Sequence, residues 1–109
     1  MIWPTRFTKP MVERYMAEGL WTNDTMVSVL GRLARERGED LAVADAHRRL
    51  TWAEIERESY RVGSFLRGLG LKRGGLVLVQ LPNCVENFIV RFALKRVGLL
   101  GADIPVIWR

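Results

Sequence analysis

The run Leu76-Val77-Leu78-Val79-Gln80-Leu81 limits the possible folds more than any other part of the chain. A nearly unbroken apolar run fits a strand buried on both faces, as in a parallel sheet covered by helices. Pro82-Asn83 ends it, and a helix is predicted from Cys84 to Val97. Asn83 is the predicted N-cap, with Glu86 at the capping spacing. At the helical repeat, Asn87, Arg91 and Lys95 form one narrow polar stripe, and apolar residues from Val85 to Val97 cover the rest. A helix this apolar requires protein on several sides. Gly98 ends it, and a second extended segment is expected over Ala102-Asp103-Ile104-Pro105-Val106. Strand, helix, strand is the signature of a right-handed parallel crossover. The expected class is therefore α/β. Two parallel strands leave open edges and little cover, so the sheet is expected to be incomplete and to need more chain or a partner.

Upstream, Met26, Val29, Leu30 and Leu33 recur at helical spacing, which predicts a helix over Met26 to Arg37. Asn23, Asp24 or Thr25 can cap its start, and Gly38 stops it. Leu41 to Ala44 and Arg48 to Thr51 flank Asp45-Ala46-His47, the pattern of a β-hairpin with His47 at its tip. Thr51-Trp52-Ala53-Glu54 is a capping box that opens a helix running to about Leu69. Trp52, Ile55, Val62, Phe65, Leu66 and Leu69 share one side of it. Residues 1–24 read as an N-terminal arm and residues 25–109 as a partial α/β subdomain. Within the arm, Pro10 starts a short helix that Val12 to Glu18 continue and Gly19 ends. Trp3, Phe7, Tyr15 and Trp21 read as anchors holding the arm to a larger body.

Composition enters as a set of exclusions. At 109 residues, with 49% apolar and 27% charged residues, the chain suits one small folded domain. A single cysteine, Cys84, excludes an internal disulfide. The start, Met1-Ile2-Trp3-Pro4-Thr5-Arg6, lacks the apolar core of a secretory signal, and no stretch is long and apolar enough to span a bilayer. The expected compartment is the cytoplasm. The net charge of +5 raises nucleic acid as a partner. The basic pairs Arg48-Arg49, Lys72-Arg73 and Lys95-Arg96 lie far apart, however, and other charges alternate in sign, so these residues read as solvated surface.

No phosphate-cradling glycine loop is visible, since Gly68-Leu69-Gly70 and Gly74-Gly75 lack the strand-to-helix placement and the Lys-Ser/Thr pair. No Cys/His cluster has metal spacing. His47 reads as an ordinary turn histidine. Cys84, at a helix start but in an apolar setting, reads as structural. Asp103, in an apolar strand, reads as a residue facing solvent at a sheet edge, with a strand-end position near a site as the alternative.

Taken in order, several segments resemble the adenylate-forming enzymes. Leu50-Thr51-Trp52-Ala53-Glu54-Ile55 resembles the Leu-Thr-Tyr-x-Glu-Leu element near the start of that family. Gly74 through Glu86 resembles its Gly-Asp-x-Val-x-Val-x-Leu-Pro-Asn-x-x-Glu stretch, and Phe92-Ala93-Leu94-Lys95-Arg96-Val97-Gly98 its Phe-Ala-x-x-Arg-x-Gly helix. The arm with Tyr15, Gly19, Leu20 and Trp21 resembles the lead-in of acid–CoA ligases and aryl-acid AMP ligases. Gly75, where the family commonly has Asp, and Gly101-Ala102-Asp103 depart from the pattern.

The resemblance implies the start of the N-terminal domain of an ATP-dependent acid–CoA ligase, which forms an acyl adenylate and then a thioester. ATP, Mg²⁺ and coenzyme A are implied for the full-length enzyme. The family's phosphate loop, nucleotide contacts and catalytic lysine lie downstream, so no catalytic, cofactor-binding or metal-ligating residue carries over to this chain. The implied partners are the remainder of the ligase or a complementary subunit, with a small carboxylic acid as the whole enzyme's substrate. The alternatives are a non-catalytic binding or regulatory α/β module and, further off, a basic nucleic-acid-binding domain.

Overall fold

The computed structural model describes residues 6–108. Trp3 and Pro4 of the arm lie outside the described residues. Thr8 caps α1 (Lys9–Ala17), which carries Pro10 in its first turn and buries none of its residues. Phe7 and Tyr15 each pack on Trp21, with ring centroids 4.9 Å and 5.1 Å away. These anchors therefore pack on one another within the arm.

Thr25 is the cap of α2 (Met26–Glu36), in a reciprocal box with Ser28. Strands β1 (Leu41–Ala44) and β2 (Arg49–Thr51) pair antiparallel, and the backbone N–H of Asp45 closes the hairpin on the Arg48 carbonyl. The capping box at Thr51 forms as expected and opens α3 (Trp52–Gly68). The Glu54 N–H donates to Thr51 Oγ1 at 3.3 Å, and the Thr51 N–H donates to Glu54 Oε2 at 2.8 Å. The crossover follows: β3 (Leu76–Val79), α4 (Val85–Arg96) and β4 (Leu100–Asp103). β3 and β4 pair in parallel, with Leu76 opposite Leu100 and Val79 opposite Asp103.

The main core is Leu30, Leu50, Ile55, Val85, Ile89 and Phe92, contributed by α2, β2, α3 and α4. A second cluster, Val79, Leu94 and Leu99, joins α4 to the parallel strands. The two long helices approach closely because Gly63 has no side chain. A Cβ there would lie 3.3 Å from Val97 Cγ1. As its pattern required, α4 leaves only Glu86, Arg91 and Lys95 exposed.

The structure corrects four expectations. First, β3 ends at Val79 rather than Leu81, and β4 spans Leu100–Asp103 rather than starting at Ala102. The left-handed Gly98 closes the helix, so Leu99 turns straight into the sheet and the Leu100 N–H reaches the Gly75 carbonyl. The last backbone bond between the two strands runs from the Ile104 N–H to the Val79 carbonyl, and the chain then turns at Val106-Ile107. Second, β3 is covered on one face only. Val79 is buried, but Leu76 and Leu78 are more than half exposed, as is Leu100 beside them. Third, Phe65 and Leu69 of the expected α3 face are also exposed, since α4 covers only the stripe through Ile55, Ser59 and Gly63. Fourth, Asn83 does not cap α4. Cys84 occupies the N-cap position with no side-chain cap of its own, and the helix start is satisfied from elsewhere.

Ile55 is fully buried between α2, β2 and α4. Ile55→Ala should lower the free energy of unfolding by about 2–5 kcal/mol in urea titration. Phe65→Ala, on the open side of the same helix, should stay within about 0.5 kcal/mol. Equal losses at both positions would contradict this packing.

Candidate functional site

In open α/β sheets ligands gather beyond the carboxyl ends of the strands. Here that end is formed by Gln80 to Cys84 after β3 and by Asp103 at the tip of β4. A cleft of about 300 Å³ opens beside it, and Asp45, Asn83, Cys84, Asn87, Phe88 and Arg91 are among its lining residues.

Asp45 is the organising residue. Its Oδ1 accepts the backbone N–H groups of His47 and Arg48 at 2.7 and 2.8 Å, an Asx-turn that shapes the hairpin. Its Oδ2 accepts the Val85 N–H at 2.9 Å. A residue forty positions upstream thus supplies the cap that Asn83 does not. The Val85 N–H first, then those of His47 and Arg48, favour the charged carboxylate and lower its pKa from 3.8 to about 2. Beside it, Arg48 Nη1 donates to Glu86 Oε1 at 2.9 Å and holds that carboxyl below its usual range. Together the two contacts tie the hairpin to the first turn of α4.

A second polar chain crosses the sheet end. Arg91 Nη2 donates to Asp103 Oδ2 at 2.6 Å, and Arg91 Nε donates to Asn87 Oδ1 at 3.1 Å. Gln80 Nε2 donates to the carbonyls of Pro105 and Trp108 at 3.0 and 2.6 Å, folding the segment after β4 back over β3. Asp103 is exposed, as expected, and it also ends β4 beside Arg91, a residue lining the cleft, which meets its charge. A carboxylate engaged in this way is a positioning group rather than a free base. His47 is exposed in the turn, and Cys84 is half-buried at the start of α4. Among the described residues no group of three or more His, Cys, Asp or Glu could hold a metal ion, and no helix is long and apolar enough to cross a membrane. The residue that sequence reasoning missed is Asp45. Its position before a short polar turn signalled the local Asx bonds, but no local pattern signalled the remote cap.

The sign of the Asp45 effect follows from its depressed pKa. Its stabilisation is complete above the unfolded value of 3.8 and is lost as pH falls toward about 2. Asp45→Ala should melt below the wild-type chain at neutral pH, and the gap should close across that acid range. A gap that stays constant with pH would show that Asp45 does not act through its charge.

The AMP-binding enzyme family matches residues 30–104. The chain is 40% identical over 91 residues to the salicyl-AMP ligase / salicyl-S-ArCP synthetase of Mycobacterium tuberculosis, covering 79% of this chain. It is 31% identical over 98 residues to the 2,3-dihydroxybenzoate-AMP ligase of Bacillus subtilis, covering 90% of this chain. It spans only 16% and 17% of those two relatives. Among solved structures, the apo structure of Mycobacterium smegmatis MbtA superposes with a TM-score of 0.89 at 36% identity, over 96% of this chain and 20% of that one. The fold is part of the N-terminal domain of an adenylate-forming ligase, and the chain belongs to the AMP-binding enzyme family.

Proposed function

We propose that residues 1–24 form an arm and residues 25–109 the opening scaffold of the N-terminal domain of a cytoplasmic ATP-dependent ligase that activates a small aryl carboxylic acid. The parent reaction would join the acid to AMP, release pyrophosphate and pass the acyl group to a thiol, that of coenzyme A or of a carrier. The 40% identity to a salicyl-AMP ligase carries this reading and favours an aryl acid. ATP with Mg²⁺ would supply the adenylate and the leaving pyrophosphate in the whole enzyme.

What these residues do is structural. α4 is buried against α3 and carries the parallel strands on its other side. Leu76, Leu78 and Leu100 then present an apolar sheet face of the kind that further layers of a larger domain cover. On this reading the catalytic groups come from the remainder of the ligase or a subunit equivalent to it, which is the scaffold's partner.

The purified chain, given ATP, Mg²⁺ and salicylate or 2,3-dihydroxybenzoate, should catalyse no ATP–pyrophosphate exchange above the protein-free background. Measurable exchange would overturn the scaffold assignment. In size-exclusion chromatography with light scattering the open face of Leu76, Leu78 and Leu100 should drive self-association. A monodisperse monomer would instead favour a self-sufficient binding module.

A further inference from the structure

The basic residues that are scattered in the sequence converge in space at the opposite end of the sheet. Arg67 lies in the last turn of α3, and Lys95 and Arg96 in the last turn of α4. Arg73 sits in the turn leading into β3. All four line one cleft of about 450 Å³. Its geometry is fixed by backbone, because the Gly74 N–H donates to the Gly98 carbonyl at 2.7 Å. Gly98 has φ 73°, and a Cβ there would lie 2.9 Å from Arg73 Cγ. The turn bearing Arg73 therefore rests directly on the end of α4.

The cleft has little negative charge to match. No Asp or Glu occurs between Glu58 and Glu86, or between Glu86 and Asp103. Among the described residues, Arg67, Arg73 and Lys95 make no ion pair. Arg96 reaches Glu56 only at 3.8 Å, and its guanidinium lies 3.6 Å from the Tyr60 ring. Its Nη2 is buried without a hydrogen bond.

Helix ends are the simplest account of such cations, since a C-terminus carries about −0.5 charge. The balance does not close on that account. Two helix ends supply about −1 and Glu56 supplies −1, against the four cations lining the cleft, which leaves about +2.

We propose that this cleft is an anion site for a compact, multiply charged phosphate group, held by Arg67, Arg73 and Lys95. The arginine forks suit paired phosphate oxygens, and the lysine adds a mobile point charge. The assignment rests on the charge and shape of the cleft and is independent of the ligase reading. A chain that fails every exchange assay can still bind here.

The test is calorimetric titration of the chain with inorganic pyrophosphate at low salt, with citrate as a carboxylate polyanion for comparison. Pyrophosphate should bind saturably at one site per chain and more tightly than citrate. Arg67→Gln, Arg73→Gln and Lys95→Gln should each weaken it about tenfold. These side chains are exposed, so the variants should keep the wild-type circular dichroism spectrum. Arg35→Gln and Arg57→Gln, outside the cleft, should leave binding unchanged. Absence of saturable binding, equal weakening by the outlying variants, or equal affinity for citrate would each overturn the proposal.

Discussion

The burial of α4 against α3 is the contact on which the rest of the structure depends. Val85, Ile89 and Phe92 of α4 meet Ile55 of α3 and Leu30 of α2, while Leu94 faces Val79 and Leu99 at the sheet. Each such side chain removed from water contributes about 1.5–3 kcal/mol. One helix therefore belongs to both clusters, and without it the parallel pair loses the helix that covers it, while the hairpin lies mainly on α3. Gly63 permits the approach, because a methyl group there would press on Val97.

Polar contacts refine what the apolar contacts hold. Asp45 clips the hairpin to the start of α4, and Arg91 joins that helix to the tip of β4 through Asp103. Both partners of the Arg91–Asp103 pair are about half exposed, so water screens the pair and its energy is small. Its contribution is orientation, since it fixes where the carboxyl end of β4 sits relative to α4. The Asp45 clip differs in kind because it satisfies a backbone donor at a helix start that has no cap of its own.

The two ends of the parallel pair have opposite electrostatic character. At the carboxyl end, Glu86 and Asp103 are each met by an arginine and Asp45 by backbone N–H groups. At the amino end, cations gather around two helix termini, and among the described residues Glu56 is the one acid paired with them. The first arrangement is a finished joint, and the second keeps a surplus of charge. The apolar face of Leu76, Leu78 and Leu100 is unfinished in another sense, as it has the composition of an interior while facing water. Membership of a family whose curated relatives are several times longer gives that face its natural explanation.

Local chemistry alone determined much of this protein. The capping box at Thr51, the stop at Gly98, the hairpin around Asp45 and the apolar α4 follow from patterns a few residues long, and the structure contains all of them. The unbroken apolar run of β3 equally suggests burial on both faces, yet such a run states only what a strand tolerates, and here one face is open. The start of β4, the capping of Val85 by Asp45 and the convergence of Arg73 and Lys95 on one cleft were decided by tertiary structure. Each depends on which segments the packing of α3 on α4 brings together, and separation along the chain carries no record of that distance.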